Sequence, residues 1–408
     1  MKSWKITTLA IGDLLAAYIS LFLMLKISFG ELYGAPIVME HLFPFTIIFF
    51  AWLIVLFIFE QYDPISGRPR LYTIKSLSYA LATSLAFGIL VFYIGKFGIT
   101  PKMNLLLVFV FFVTLYVLWR RLAFKLFGDT FVEKVTFLDS NEYVDKLKST
   151  IISSPQLGYR LAKEGEHPDI VVSQTPFSRG SKLLSLSEMY ESIFGKVPVD
   201  IADKTLPYQI ESRRENLAGI IIKRFSDILF SSVTLIATSW LWPIIILGIK
   251  LDDRGPILYS HKRVGLNNKP FNFLKFRSMR TDAEKGGAQW ADKEDSRVTR
   301  FGKFLRKSHL DEIPQMINVF MGDMSVIGPR PERPEFVETL EREIPLYDLR
   351  HIIKPGFTGW AQVRFRYART VSESREKFEY DLYYIKNKSF ILDAGILLKT
   401  IQIIVTHL

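Results

Sequence analysis

The segment from His309 to Arg333, HLDEIPQMINVFMGDMSVIGPRPER, places two adjacent carboxylates, Asp311 and Glu312, at the start of a predicted helix. Cations precede the pair, and the turn Gly328-Pro329-Arg330-Pro331 follows it. Side-by-side acids near fixed positive charge suit phosphate chemistry, in which a carboxylate attacks phosphorus or holds a divalent cation. A plainer reading makes Asp311 a helix N-cap, Glu312 a first-turn acid facing the helix dipole and Pro314 a first-turn proline. The surrounding residues favour the chemical reading.

Those residues are cations at telling positions. In FNFLKFRSM the composition is that of a strand, so Lys275 and Arg277 share one face, a pair suited to a diphosphate. Arg297, Arg300, Lys303, Arg306 and Lys307 recur at nearly helical spacing among Val298, Phe301, Phe304 and Leu305. That is an amphipathic basic helix able to rest on anionic headgroups or to present cations to a phosphate. Ser308 and Asp311 resemble a capping box. Arg330 stands between two prolines whose fixed φ lowers the entropy lost on clamping an anion. Arg364, Arg366 and Arg369 add charge after the turns Pro355-Gly356 and Thr358-Gly359.

The elements that must hold these groups divide the 408-residue chain unevenly. Four apolar runs, Trp4 to Leu25, Leu42 to Phe59, Ile74 to Ile94 and Met103 to Trp119, approach the length needed to cross a bilayer. Basic residues before the first run, between the second and third and after the fourth put both ends of this unit in the cytoplasm, with Lys96 and Lys102 counting against. Residues 1–128 are therefore expected to be a four-helix transmembrane anchor. Residues 129–215 alternate strand-like EKVTFLDS and DIVVSQ with helix-like EYVDKLKSTII and LLSLSEMYESIFG, as in a small α/β unit with a parallel sheet. The turn after the first strand reads Leu138-Asp139-Ser140-Asn141 and lacks the glycines of a dinucleotide fingerprint, so the unit reads as degenerate Rossmann-like, structural or regulatory.

Residues 216–408 carry the chemistry. Ile228 to Ile249 is uncharged, yet both flanks are basic, and Pro243 interrupts it. A re-entrant helix over about 223–250 that enters one leaflet and returns satisfies both flanks, with the break assigned to Pro243 and with Ser231, Ser232, Thr234, Thr238 and Ser239 serving backbone groups freed there. The apolar C-terminal stretch, broken by Asp393 and Lys399, is expected to lie on or against the membrane. The formal charge of +11 favours an anionic partner, and the apolar segments make lipid and phosphate the fitting ones rather than nucleic acid. With no cysteine, disulfides and thiol nucleophiles are excluded.

The chain from Lys223 onward resembles the bacterial sugar transferases, or polyprenyl-phosphate hexose-1-phosphate transferases. The resemblance rests on Lys223-Arg224 with Asp227, Pro243, Gly255-Pro256, Arg263-Val264-Gly265, KFRSM, LDEIPQ, GDMSVIGPRPE, KPGFTGWAQV and YDLYYIKN. The four-span start and α/β unit look like the larger undecaprenyl-phosphate glucose or galactose phosphotransferases. The resemblance implies transfer of hexose-1-phosphate from a UDP-hexose to polyprenyl phosphate with release of UMP, the first membrane step of exopolysaccharide or O-antigen assembly, in the bacterial inner membrane with the catalytic part facing the cytoplasm. It implies Asp311 as the nucleophile, forming an aspartyl phospho-sugar intermediate, and Glu312 as its helper through Mg²⁺ or proton transfer, with both acids as metal ligands. It makes Lys275, Arg277, Arg306, Arg330 and Arg366 phosphate- or substrate-binding cations and Asp381 a further polar contact. Homo-oligomerisation is compatible with the sequence. The competing readings are a non-enzymatic membrane scaffold of polysaccharide assembly, and a tethered nucleic-acid binder that rests on net charge alone.

Overall fold

The computed structural model describes residues 3–59, 61–62, 70–95, 101–127, 132–154, 157–174, 182–202, 206–212, 217–253, 255–281, 283, 296–365 and 370–407. Two compact units, Met1–Phe194 and Gly195–Leu408, make up the chain.

The first unit opens with four apolar helices, α1 (Ser3–Phe29), α2 (Ala35–Ile58), α3 (Arg70–Gly95) and α4 (Pro101–Phe127). Each is long and apolar enough to cross a membrane, as the sequence led us to expect, and the protein is a membrane protein. Trp52, Phe49 and Phe112 fill the bundle core, while residues such as Phe43, Phe50 and Tyr93 project outward. The sequence reading passed over one polar tie. Asp13 on α1 is wholly buried, 2.7 Å from Arg120 on α4, and accepts a hydrogen bond of 2.6 Å from the Tyr62 hydroxyl. Both partners meet the same oxygen, Oδ2, and offset the cost of burying the charge there, while Oδ1 has no hydrogen bond among the described residues.

Beyond the helices lie β1 (Glu133–Phe137), α5 (Glu142–Ser153), β2 (Tyr159–Leu161), β3 (Ile170–Ser173), β4 (Lys182–Ser185) and α6 (Leu186–Phe194). The strands form one parallel sheet in the order β2-β1-β3-β4, the α/β layering that the alternating pattern called for. At the turn without glycines, Asn141 caps α5 by accepting from the Val144 amide at 2.9 Å, and Asp139 accepts from the Gln174 amide at 2.6 Å. One of the helix-terminal amides that a phosphate could use, Val144 N, is thus already engaged.

The second unit begins at Gly195, ahead of the boundary at 216 assigned from sequence. Val197, Val199 and, on α7 (Leu206–Ser212), Leu206 and Ile210 share a core with Leu340, Phe378 and Leu382. Then α8 (Leu217–Thr238) and α9 (Leu241–Asp252) meet at a bend of 65°. The bend falls at Ser239-Trp240, one turn before Pro243, because a proline strips the hydrogen bond from the carbonyl four residues earlier. Thr238 and Ser239 donate their hydroxyls to Thr234 O and Ile236 O, each at 2.8 Å. Ile236, Trp240, Leu247 and Leu251 are left exposed on this pair.

The remainder is a frame for the acid pair. Strands β5 (Leu258–Val264) and β6 (Pro270–Phe276) form an antiparallel hairpin with Tyr259 opposite Lys275. After α10 (Arg300–Lys307) the acids lie in a short 3-10 turn, Leu310–Glu312, ahead of α11 (Gln315–Met321). The parallel pair β7 (Ser325–Ile327) and β8 (Gly356–Thr358) flanks α12 (Pro334–Glu343), and α13 (Trp360–Arg364), α14 (Val371–Asn387) and α15 (Phe390–His407) close the unit. Ile396 of α15 is fully buried in the core with Phe273, Val319 and Trp360.

Where β7 and β8 cross, glycine is obligatory: a Cβ on Gly356 would lie 2.1 Å from Gly328 N, and one on Gly359 2.1 Å from Gly328 O. Two motifs of the sequence, IGPRP and KPGFTG, are thus the two halves of one backbone crossing.

Candidate active site

The acid pair is displayed rather than used for capping. Thr299 caps α10, Ser308 ends it by donating to Phe304 O at 2.8 Å, and α11 starts at Pro314 without a side-chain cap. The capping box expected from Ser308 and Asp311 is therefore not formed, nor is Asp311 an N-cap. His309, with φ of 56°, turns the chain through the left-handed region just before the acids, a conformation that costs a non-glycine residue about 1 kcal/mol or more. It directs the turn across the β5–β6 hairpin.

Asp311 and Glu312 differ sharply in environment. Glu312 accepts from Lys275 Nζ at 2.8 Å and from Arg330 Nη2 at 2.5 Å and Nη1 at 3.4 Å. Burial opposes its ionisation, but Arg330 and Lys275 outweigh burial and hold it well below the usual carboxylate range. Asp311 makes no side-chain hydrogen bond among the described residues; its nearest cation is Lys275, at 3.7 Å. Only 5% exposed, it is pushed by burial above its ordinary value, with Lys275 pulling the other way and Glu312 adding to the rise. Two neighbouring acids are thereby set apart: one permanently charged and neutralised, the other basic and unengaged.

Asp311 lies on the wall of a cavity of about 260 Å³ in which Lys275, Arg277, Arg280, Arg297 and Arg306 are prominent. Among the described residues Arg277 Nε and Nη1 have no hydrogen-bond partner, and Arg306 Nε is steadied by Ser278 Oγ at 3.1 Å. Gly255 makes room, since a Cβ there would come within 2.7 Å of Arg277 Nη1. Lys275, Arg277, Arg306, Arg330, Asp311 and Glu312 are thus brought together. Arg366 lies outside the described residues. Asp381, expected as a substrate contact, sits behind the site instead: it is buried against Arg350 at 3.1 Å, and Arg350 Nη2 donates to Arg330 O at 2.8 Å.

The proline-rich loop is clamped residue by residue. Gly356 N donates to Pro329 O at 2.8 Å, Arg350 to Arg330 O, Arg263 to Pro331 O, and Lys377 to Glu332 at 2.7 Å. The sequence credited the prolines alone with this rigidity.

Lys223, Arg224 and Asp227, which counted in the sequence as a basic flank and a motif, turn out to fasten α8. Arg224 donates to Val319 O at 2.8 Å and Phe320 O at 2.7 Å, meeting the negative end of α11. Asp227 accepts from Ser325 Oγ and Val326 N, both at 2.9 Å, and Lys223 pairs with Asp393 on α15. Gln315, the last residue of LDEIPQ and given no role from the sequence, is wholly buried one turn beyond the acids, and its amide has no partner on either atom among the described residues.

Residues 218–407 match the family model described as Bacterial sugar transferase, and the chain belongs to that family. Among its relatives, it is 43% identical over 221 residues to the UDP-N-acetylgalactosamine-undecaprenyl-phosphate N-acetylgalactosaminephosphotransferase of Aeromonas hydrophila, covering 54% of this chain and 52% of the relative. It is 39% identical over 189 residues to the UDP-glucose:undecaprenyl-phosphate glucose-1-phosphate transferase of Escherichia coli (strain K12), covering 45% and 41%. With the Exopolysaccharide production protein PSS of Rhizobium leguminosarum bv. phaseoli it shares 38% identity over 188 residues, 45% of this chain and 94% of the relative. The matched region thus spans about half or less of the first two relatives and nearly all of the third.

Proposed function

We propose that this protein transfers a sugar 1-phosphate from a UDP-sugar to polyprenyl (undecaprenyl) phosphate, releasing UMP, as the first membrane step of exopolysaccharide or O-antigen assembly. The observation that carries the proposal is Asp311: a buried carboxylate with no side-chain hydrogen bond among the described residues, on the wall of a cation-lined cavity, beside an acid already neutralised by Lys275 and Arg330. A structural ion pair has no use for an unengaged acid, whereas a nucleophile needs one.

In this reading an Asp311 carboxylate oxygen attacks the phosphorus bearing the sugar. The bond to the bridging oxygen breaks, and UMP leaves with the electron pair. A polyprenyl-phosphate oxygen then attacks the same phosphorus, the acyl-phosphate bond breaks and Asp311 returns as a carboxylate. Arg277 and Arg306 meet the phosphate charge; Glu312 holds Lys275 and Arg330 in place.

Mg²⁺ fits once a diphosphate is present, because it is usually held by one or two carboxylates together with substrate phosphates, and Asp311 supplies one that is unengaged while Glu312 stands adjacent. Bound there, it would neutralise phosphate charge and act as a Lewis acid.

The bent pair α8–α9 enters one leaflet of the bacterial inner membrane and returns to the cytoplasm, which accounts for its basic flanks and its exposed apolar side chains. The α/β unit is then a cytoplasmic Rossmann-like module that holds no nucleotide. Purified protein given a UDP-sugar, polyprenyl phosphate and Mg²⁺ should release UMP only when both substrates are present. Failure with every UDP-sugar would refute the transferase reading, and accessibility labelling that puts positions 223 and 250 on opposite sides of the bilayer would refute the re-entrant one.

A further inference from the structure

The cavity has two chemically different ends, with Asp311 between them. Along one face of the β5–β6 hairpin come His261, then Tyr259 paired with Lys275, then Arg277, whose amide donates to Ile257 O at 2.9 Å. Four residues of strand separate the ends by about 13 Å. Lys275, 3.7 Å from Asp311, marks the middle. A donor whose reacting phosphorus sits at Asp311 extends its sugar one way and its nucleotide the other.

The charged groups differ between the ends. Around Arg277 the charged lining residues are Arg280, Arg297 and Arg306, with no acid among the described residues. Around Tyr259 and His261 the wall is mixed in sign: Arg263 and Arg333 stand beside Glu332, whose carboxyl Lys377, Arg350 and Arg263 together hold down at about 2 against the opposition of burial. Lys377 and Arg263 answer its charge, so the carboxylate is left as an acceptor for hydroxyls at an end that carries both signs, whereas the other carries cations. His261 completes the contrast. Arg263 Nε donates to His261 Nε2 at 2.8 Å, so the ring proton is on Nδ1, which has no acceptor among the described residues. Burial and the neighbouring Arg263 keep the imidazole neutral. The Tyr259 ring stacks on His261 at 5.1 Å, Arg333 Nη2 holds the Tyr259 hydroxyl at 3.2 Å, and Phe336 adds an apolar surface. A neutral imidazole donor, a guanidinium, a carboxylate acceptor and ring faces together suit a polyhydroxylated ring.

We propose that Tyr259, His261, Arg333 and Phe336 seat the sugar of the donor and set which sugar is accepted, while the Arg277, Arg280 and Arg297 end seats the nucleotide. This rests on the transferase reading above.

The test uses the full-length protein with polyprenyl phosphate, Mg²⁺ and a panel of UDP-hexoses and UDP-N-acetylhexosamines, measuring kcat/KM for each donor and inhibition by UMP. In Tyr259→Phe and Phe336→Leu the ratio of kcat/KM between the two donor classes should change about tenfold, while the inhibition constant of UMP stays within about twofold. Arg280→Gln should do the reverse, weakening UMP about tenfold with the donor ratio unchanged. A weaker grip on UMP with an unaltered donor ratio in the Tyr259 or Phe336 variants would mean that the base stacks there, and would overturn the assignment. So would a donor ratio that stays constant in both variants. For a variant without turnover, UMP binding by calorimetry decides: retained binding supports the assignment and lost binding in a folded protein opposes it. If wild type releases UMP from no donor, the transferase reading itself has failed.

Discussion

Two clusters in the C-terminal unit are built from the same residue types and do different things. At the cavity, Asp311 and Glu312 face Lys275, Arg277 and Arg330; one layer behind, Asp381 and Arg350 face Tyr347 and the back of the Arg330 loop. The rear cluster is closed. Arg350 and Asp381 are both under 5% exposed and spend their hydrogen bonds on each other, on Tyr347 and on Arg330 O. The front cluster is left incomplete: among the described residues Asp311 has no side-chain hydrogen bond, and Arg277 has two unpartnered nitrogens. Completed charge networks stabilise and position; incomplete ones are available to a ligand.

Substitutions can break that contrast. Asp311→Asn should lower UMP release by about 10⁴-fold or more while leaving the thermal unfolding temperature nearly unchanged, since no internal hydrogen bond is lost. Equal loss of stability would place Asp311 with the structural pairs. Asp381→Ala should behave in the opposite way, costing about 3–5 kcal/mol of stability in thermal or denaturant unfolding by leaving Arg350 buried and unpaired, and lowering activity indirectly through the loosened Arg330. If the variant is inactive at full stability, Asp381 touches substrate after all.

Glu312→Gln lies between. It leaves Lys275 and Arg330 without their anion, and kcat should fall about 10²- to 10³-fold with a modest drop in unfolding temperature. The smallest effect sharpens the comparison through pH. Glu332 has a folded-state value of about 2, below its ordinary 4.5. The unfolded chain therefore binds the extra proton first, so the contribution of Glu332 is full above about pH 4.5 and is lost as the pH falls toward 2. Unfolding followed across that window should be less steep in pH for Glu332→Gln than for wild type, by on the order of 3 kcal/mol at most; identical profiles would remove Glu332 from the clamp.

Much of this was legible in the chain. The four apolar helices follow from hydropathy and length, and the Lys275 and Arg277 face from strand alternation, since both are local properties. The acid pair stood out because its neighbours are cations within the same segment. Asp381 was harder: its partner Arg350 is remote in sequence, and a carboxylate in an aromatic stretch carries no mark of the side it faces. Lys223 and Arg224 were weighed as membrane-flanking charge, although their guanidinium and ammonium groups reach α11 and α15. The sequence assigned the break to Pro243; the bend between α8 and α9 lies one turn earlier, at the carbonyl to which the proline denies a hydrogen bond.

By itself, then, the sequence singled out which residues could do chemistry, which segments are apolar and where the backbone must turn, because composition, periodicity and proline or glycine act over a few residues. The division of labour between Asp311 and Glu312 was decided only by folding. Two carboxyls next to one another acquire opposite pKa shifts and different partners when the hairpin lays Lys275 against them, the pairing of β7 and β8 presents Arg330, and burial removes the water that would have made them alike.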